Sequence, residues 1–393
     1  MPSYVSSNEN RCYVALESSY GIAAGVGAAN RIPPVSLTVT QKTERGQRRD
    51  KTGSRTFIGD PPGLRRSTQF DLKTYLSSWT DQTKPPAHGP LIQATLGGDA
   101  RVFAGAALTS ANGATLVFGA AHGLAVGQAV SLGGEIRFVA GLIDTNTVQL
   151  NAPFSGAVEQ GAMGGATGGA TATYGPGTML PSATIYDYWS PQTAAQRALG
   201  GAAVSKAKIA ANGDYQELQF SGMAADVIDS ASFEAMQGGM GAFPDEPAVA
   251  PGQYSIVPGH LGQVWMGAVP TQFFTLTSAQ ITIDNDLDLR NREYGSNLPR
   301  GISAGLRNVS IDFSVFQQDD QQTQALYQAA RQRSPMSVML QMGEQQGQLL
   351  GVYLKSVALE VPGFDDGQRR LQWRFQSCLA QGLVNDEVFI AFG

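Results

Sequence analysis

Cysteine, histidine and charge are scarce in this chain of 393 residues. It holds two cysteines, Cys12 and Cys378, and three histidines. Two cysteines so far apart are too few for a disulfide framework or a zinc site, so both are expected to be buried thiols. Charged residues make up 15% of the chain, and the net charge of −5 argues against a protein that grips nucleic acid through its phosphates.

Long apolar runs are missing as well. No window approaches 18 consecutive apolar residues, and the opening Met1-Pro2-Ser3-Tyr4 lacks a charged region followed by an apolar core. The sequence therefore predicts neither a membrane span nor a secretory signal. We expect a protein that is made in the cytoplasm and stays soluble until it assembles.

Glycine and proline are plentiful, at 47 and 20 residues. This composition favours strands and turns over long solvated helices. A chain of this length also exceeds the usual 100 to 200 residues per domain, so two or three domains are expected.

An internal repeat organises the chain. Residues 36–65 match residues 278–307 at a constant shift of 242 positions, with nine identities in thirty positions. One residue drops out afterwards, so that Phe70-Asp71-Leu72 matches Ile311-Asp312-Phe313. Self-similarity of this kind predicts two copies of one structural unit.

Each copy alternates like a strand, breaks into a long polar segment and then alternates again. The polar segments, here called arm 1 (residues 44–66) and arm 2 (residues 284–307), are too charged for a core and too long for a hairpin turn. A helix is predicted after each copy's second strand. In copy two it begins at the cap Asp319-Asp320 and stops before Pro335. In copy one Pro85-Pro86 and Pro90 begin a shorter helix, which Gly97-Gly98 ends.

The copies differ in length, and the difference locates an insertion. Leu218-Gln219-Phe220 matches Leu371-Gln372-Trp373, which leaves 89 more residues in copy one. Residues 100–174 are rich in Gly, Ala, Thr and Val, with short alternating runs at 115–118, 129–132, 136–139 and 147–150. We therefore predict a discontinuous first domain (residues 11–99 and 175–230), a small inserted β domain (100–174), a linker (231–253) and a second domain (254–393).

Three motifs resemble functional sites, but the residues around them do not fit those sites. Residues 301–305 fit the G-x-S-x-G elbow of hydrolases, but the histidines all lie upstream and the matched stretch of copy one has proline in place of Ser303. Residues 284–288 imitate a calcium loop, but Leu289 stands where glycine is required. The aromatic run Tyr186, Tyr188 and Trp189 is interpreted as core rather than a sugar platform. No catalytic set, metal site or cofactor is predicted.

The chain resembles the tail tube (major tail) protein of long-tailed bacteriophages. The resemblance rests on the first predicted strand, Arg11 to Glu17, with Tyr20-Gly21 after it. It also rests on the strand, arm and strand of residues 36–72 and on their repeat at residues 281–315. It covers most of the chain outside residues 100–174. In that family each unit is a β-sandwich or partial barrel with a flanking helix, six units close a ring, and rings stack into a tube.

The resemblance implies a structural protein of the virion tail. Because the unit is duplicated, it implies a homotrimer forming a pseudo-hexameric ring, with the inserted domain on the tube exterior. It also implies a tape-measure protein in the lumen, double-stranded DNA that passes during genome ejection without specific binding, and contacts with tail terminator and distal tail proteins. Ring closure would pair sheet edges that otherwise promote aggregation, and a neutral or acidic wall would let DNA pass.

The two arms differ in charge. Over residues 42–55 the formal charge is +4, and over the matched residues 284–297 it is −2. We hypothesise that the arms stay disordered until neighbouring subunits order them. The basic arm of one unit would then contact the acidic surface of an unlike unit. Reversing Asp284, Asp286 and Asp288 to lysine should abolish tube formation and leave a folded monomer. The candidate assembly residues are Lys42, Glu44, Arg45, Arg48, Arg49, Lys51 and Arg55 in the first domain, and Asp284, Asp286, Asp288, Arg290, Arg292 and Glu293 in the second.

Two other functions stay open. A distal tail or baseplate hub protein would form one ring and not polymerise; contractile inner tubes and secretion-system rings are related but usually carry one unit per chain. A β-rich adhesin or carbohydrate-binding protein would use the inserted domain and its aromatics. That alternative predicts a monomer or a closed trimer with affinity for glycans.

Overall fold

The computed structural model describes residues 4–46, 49–51, 53–60, 62–155, 168–248, 255–367 and 369–393. These residues form a mainly β protein, as the sequence predicted, with α-helices α1 (Gly89–Leu96) and α2 (Gln321–Gln332). Short 3-10 helices lie at Ala28–Asn30 and Gln237–Gly239.

The strands follow one another along the chain in two long series. The first series is β1 (Asn10–Leu16), β2 (Arg31–Ile32), β3 (Pro34–Thr43), β4 (Arg66–Tyr75), β5 (Arg101–Phe103), β6 (Leu108–Asn112), β7 (Thr115–Phe118), β8 (Ala129–Leu132), β9 (Glu135–Leu142), β10 (Thr147–Leu150), β11 (Thr171–Tyr174), β12 (Ala183–Trp189), β13 (Arg197–Ala211), β14 (Glu217–Ala224) and β15 (Asp226–Asp229). The second is β16 (Gly262–Gly267), β17 (Thr271–Gln272), β18 (Leu276–Asp284), β19 (Asp288–Leu289), β20 (Ile302–Ser303), β21 (Asn308–Phe316), β22 (Met336–Met342), β23 (Leu350–Ala358), β24 (Gly363–Asp365), β25 (Gln372–Ala380) and β26 (Val388–Phe392).

One antiparallel sheet, here called the central sheet, runs through both halves of the chain. Its strands pair in the order β3–β4–β14–β13–β18–β21–β25–β24. Side chains alternate between its faces, as in β21, where Val309, Ile311, Phe313 and Val315 are buried and the residues between them are not. One face of the central sheet is therefore apolar and the other polar.

A flanking sheet belongs to each half. The first flanking sheet pairs β2–β1–β12–β13–β15, and the second pairs β17–β16–β22–β23–β26–β11–β5. The long strands β13 and β23 each begin in a flanking sheet and continue into the central sheet. β13 pairs with β14 from Ala203 onward, and β23 pairs with β25 at Val357 and Ala358. Each half thus folds its two sheets around a shared interior.

The register of the two halves agrees at the positions that the sequence shift matched. Leu37 lies opposite Leu72 in the first half, and Ala279 lies opposite Phe313 in the second. A register shift follows Pro34 in one half and Leu276 in the other, 242 residues apart. Farther along, Leu72 faces Phe220 whereas Phe313 faces Phe375, so the register aligns Phe220 with Phe375 rather than with Trp373.

Both predicted helices are present with the predicted ends. Asp320 caps α2 by accepting a hydrogen bond from the amide of Thr323 at 2.6 Å, and α1 carries Pro90 in its first turn. Gly97 ends α1 in the left-handed conformation, at φ 89°, which glycine adopts without strain. Leu91 and Ile92 of α1 and Leu326 of α2 are buried in the same cluster as the apolar face of the central sheet. Cys12 and Cys378 are also buried there as free thiols, as expected.

The inserted segment forms a separate five-stranded sheet in the order β6–β7–β10–β9–β8. Three of the four predicted runs coincide with strands, and the fourth lies within β9. At the ends of the segment, β11 pairs with β26 and β5 pairs with β11, so both strands belong to the second flanking sheet. Part of its predicted return path, residues 156–167, lies outside the described residues.

Candidate assembly interface

The two halves of the central sheet meet at a junction of strands. The end of β13 pairs with β18 from Lys206 opposite Asp284 to Ala211 opposite Ala279. Lys206 Nζ lies 2.8 Å from Asp284 Oδ2. Burial, the largest single influence, would raise the pKa of Asp284, but the hydrogen bonds from Lys206 and from the amide of Asp286, together with the charge of Lys206, hold the pKa below its usual value. The junction is thus sealed by a ladder of main-chain hydrogen bonds and an ion pair.

Asn285 ties the junction to the interior. Its buried side-chain amide donates to the carbonyl oxygens of Thr95 at 2.9 Å and Val204 at 3.1 Å. A buried amide that is satisfied twice fixes the direction in which arm 2 leaves β18. Sequence reasoning grouped Asn285 with a solvated acidic arm and missed this role, because its partners lie far away in the chain.

The opposite ends of the central sheet present strand edges. In the part of the chain that the structure describes, β3 pairs only with β4, and β24 pairs only with β25. β3 is ten residues long and exposes most of its side chains, and Phe364 of β24 is 62% exposed. Edges with unpaired N–H and C=O groups are templates for pairing with another chain.

An ion pair stands at the base of each arm. Arg66 lies 3.5 Å from Asp226 where arm 1 returns to the sheet, and Arg307 lies 2.6 Å from Glu387 where arm 2 returns. In both cases the arginine comes just before or at the start of the second strand of its half. Asp226 and Glu387 lie at the start of the final strands, β15 and β26. The sequence match pointed to Arg65, one residue earlier, and gave no sign of either carboxylate.

Most candidate residues of arm 1 lie at the surface. Lys42 is exposed in β3, and Arg45 lies 3.5 Å from Asp60 within the arm. Glu44 accepts a hydrogen bond from the side-chain amide of Asn291 at 3.2 Å. Arg49, Lys51 and Arg55 are exposed, and Arg48 lies outside the described residues.

Arm 2 is built differently from expectation. Asp288 and Leu289 of β19 pair with Ser303 and Ile302 of β20, and Leu289 is buried. The expectation that this arm stays disordered until a neighbour orders it is therefore wrong for these residues, which close their own small hairpin. Ser303 lies in a strand of that hairpin, so residues 301–305 are not a nucleophile elbow.

Three of the charged candidate residues of arm 2 already form ion pairs within the chain. Asp284 pairs with Lys206, and Arg290 pairs with Glu293. Asp286 and Asp288 are exposed. Reversal of Asp284 would therefore disturb the junction inside the monomer, and the triple reversal expected to spare monomer folding is not a clean test.

Arm 2 contacts arm 1 within one chain through neutral groups of its own. The amide of Arg66 donates to the carbonyl of Asn297 at 2.9 Å, and the guanidinium of Arg65 donates to the carbonyl of Arg292 at 3.4 Å. Arm 2 therefore rests on the base of arm 1 through main-chain carbonyls and the Asn291 amide rather than through opposite charges.

The polar face of the central sheet carries balanced charge. Gln69, Gln280 and Ser310 are typical of its side chains, which are at least partly exposed. Its basic residues are Lys42, Lys73, Lys206, Lys208 and Arg374, and its acidic residues are Asp71, Glu217, Asp284, Asp312 and Asp365. The face is thus rich in hydroxyl and amide groups with no excess of either charge.

The outer face of the first flanking sheet is covered by the predicted linker. Phe243 packs on Tyr188 with ring centres 6.4 Å apart, and Glu246 accepts hydrogen bonds from Arg11 and from the Tyr13 hydroxyl. Tyr186 is buried beside Tyr188, and burial raises its pKa to about 12. The interpretation of these tyrosines as core is confirmed; Trp189 is half-buried.

The inserted domain covers the outer face of the second flanking sheet. Phe138 stacks on Tyr353 at 5.4 Å, and the buried Arg137 donates to Gln341 and Gln263. Arg137 also pairs with Glu135 and lies over the Trp265 ring at 5.0 Å. Burial lowers the pKa of Arg137 to about 10, although Glu135 opposes that shift.

The described residues include neither a metal-binding cluster nor a membrane-spanning helix. No group of three or more His, Cys, Asp or Glu side chains there is placed to hold a metal ion. Within the same residues no helix is long and apolar enough to cross a membrane. No protein-family model matches the chain, and no curated protein matches it either.

Proposed function

We propose that this chain is the tail tube subunit of a long-tailed bacteriophage, a structural virion protein whose copies close into trimeric, pseudo-hexameric rings that stack into a tube. The observation that carries the proposal is the β13·β18 junction. It joins two units of the same strand order edge to edge and leaves one edge, β3, at one end and another, β24, at the other. A chain with two unlike edges associates head to tail, and head-to-tail contacts that close give a ring.

The agreement between the halves supports a duplicated unit. Each half has a flanking strand, a pair of central strands joined by an arm, and a helix. Four strands then follow in the first half (β12 to β15) and five in the second (β22 to β26), where β23 and β24 together take the place of β13. The register shifts after Pro34 and Leu276 and the ion pairs of Arg66 and Arg307 recur at corresponding places. If three such chains close a ring, six similar units surround its centre.

The polar face of the central sheet suits a lumen. Double-stranded DNA carries one negative charge per roughly 1.7 Å of axis, and a wall rich in lysine and arginine would hold it. A wall of hydroxyl and amide groups with balanced charge lets DNA and a tape-measure protein pass without specific binding. On this proposal the inserted domain and the linker lie outside, because they cover the opposite faces of the flanking sheets.

Mass and shape of the purified protein test the proposal. The full chain is concentrated stepwise, its mass is followed by light scattering, and the particles are viewed by negative-stain electron microscopy. Stacked rings with a central hole are expected. Isolated rings that never stack would favour a distal tail or baseplate hub protein, and monomers at every concentration that bind glycans would favour an adhesin; either result contradicts a tube.

A further inference from the structure

The β13–β18 junction inside the chain offers a template for the register of a strand junction between two chains. At the internal junction Lys208 lies opposite Thr282 and Ile209 opposite Ile281. Both isoleucines are buried, at 2% and 0% exposure. If the two units are copies, the strand of the second unit that corresponds to β13 should receive the β3 edge of the next chain in the same way.

The strand that corresponds to β13 is β23 continued by β24. Ala358 lies opposite Leu379 and Gly363 opposite Arg374, so the two pairs are five positions apart on both strands and share one register, with residues 359–362 between them outside any strand. In that register Pro362 faces Phe375, as Ala207 faces Phe220 in the first half. Gly363 then corresponds to Lys208, and Phe364 to Ile209.

The strand that corresponds to β18 is β3. Leu37 faces Leu72 as Ala279 faces Phe313, which places Val39 at the position of Ile281 and Thr40 at that of Thr282. β3 has the alternation of an internal strand, with Leu37 and Val39 half-buried on the apolar side, but within the described residues it has one neighbour.

We propose that β24 of one chain pairs antiparallel with β3 of a second copy, with Gly363 opposite Thr40, Phe364 opposite Val39 and Asp365 opposite Thr38. This inference rests on the proposed function, since it names the contact that closes the ring. It explains why an aromatic side chain is exposed at a sheet edge: Phe364 stands where Ile209 is buried, and the second copy supplies the missing cover.

The surroundings of Phe364 are consistent with a prepared contact. Its ring lies 6.2 Å from the ring of Tyr327 on α2 and 5.9 Å from that of Trp373, so it is oriented before any partner arrives. A Cβ atom added at Gly363 meets no atom within 4 Å, which leaves this edge open. Aromatic residues held in place by their neighbours are typical anchors of protein interfaces.

Cysteine cross-linking tests the register. Thr40→Cys and Gly363→Cys are combined in one chain, the protein is assembled and oxidised, and the products are separated without reductant. A covalent ladder that ends at three chains is expected, and each single variant should give none. Mixing the two single variants should give covalent dimers only. The native Cys12 and Cys378 are buried and should not compete.

Two matched variants calibrate the result. Lys208→Cys with Thr282→Cys places the same pair at the internal junction and should cross-link within one chain, with no gain in mass. Ser36→Cys with Gly363→Cys is displaced by four residues, about 13 Å along the strand, and its yield of linked chains should be at least tenfold lower.

The outcomes separate this inference from the proposed function. Rings or tubes by microscopy without the Thr40–Gly363 link, or with a stronger link from Ser36, would overturn the register and leave the tube proposal standing. Folded monomers of the unmodified chain at every concentration would overturn both. If the Thr40→Cys, Gly363→Cys variant does not assemble, Thr38→Cys with Asp365→Cys tests the same register. Absence of the Thr38–Asp365 link in assembled rings also overturns the proposed register.

Discussion

Replacing Phe364 by alanine is expected to weaken assembly far more than folding. The ring is 62% exposed in the single chain. A buried aromatic side chain removes about 150–250 Å² from water, so the exposed part of this one corresponds to roughly 100–150 Å². At ~25 cal/mol per Å², burial of that area between two chains contributes about 3 kcal/mol, and roughly 2 kcal/mol is lost when only a methyl group remains.

This loss converts into a measurable change in concentration. A trimeric ring has three such contacts and therefore loses about 6 kcal/mol in all. Because the midpoint concentration of a trimer varies with the square root of its association constant, and about 1.4 kcal/mol is a factor of ten, the concentration at which rings appear should rise about 100-fold. The free energy of unfolding of the monomer should fall by only about 1 kcal/mol, through the weakened ring contacts with Tyr327 and Trp373. Light scattering over a dilution series measures the first quantity, and urea unfolding below the assembly concentration measures the second.

Ile143→Ala provides the matched control. Ile143 is 58% exposed, close to the value for Phe364, but it lies beside the β9 end of the inserted domain, far along the chain from both edges. Its truncation should change neither quantity by much. Rings of the Phe364→Ala variant at the normal concentration, or an equal shift for Ile143→Ala, would refute the reasoning.

Three further predictions concern stability, pH and the arms. Glu135→Gln should lower the free energy of unfolding by about 3–5 kcal/mol, because it leaves the Arg137 cation buried without its counter-charge. The control Glu360→Gln removes the exposed partner of Arg333 and should lower it by under about 1 kcal/mol. Equal losses for the two variants in urea unfolding would contradict this prediction. Burial lowers the pKa of His88 from 6.5 to about 4, so the stabilising effect of the neutral ring is complete above pH 6.5 and is lost by roughly 3 kcal/mol as the pH falls toward 4. His88→Gln should flatten the stability profile between those values, and a slope equal to that of the unmodified protein would exclude His88 as its source. Asp286→Lys with Asp288→Lys spares the Asp284–Lys206 pair and should prevent tubes while leaving the monomer folded. The monomer should lose only about 1 kcal/mol, because Asp286 has a φ of 45°, which lysine adopts less readily than aspartate. Recovery of tubes on adding Lys51→Asp and Arg55→Asp would support contact between unlike arms, and tubes from the first variant alone would reject it.

The sequence by itself determined the local elements. Alternation of apolar and polar residues located the strands on either side of each arm and four strands of the inserted sheet, since neighbouring residues of a strand face opposite sides. Helix ends followed from Asp320, Pro335, Pro90 and Gly97, because a cap or a breaker acts within one turn. The repeat also predicted which residues of β3 and β18 take equivalent places.

Only the tertiary structure decided which strand edges meet. The same period-2 pattern is compatible with many pairings, because every edge offers the same N–H and C=O groups. The pairing of β13 with β18, the carboxylates that hold Arg66 and Arg307, and the partners of Asn285 all join residues distant in sequence. The repeat predicted two similar units, but only the spatial order of their strands showed that, within the described residues, β3 and β24 are the two edges of the central sheet.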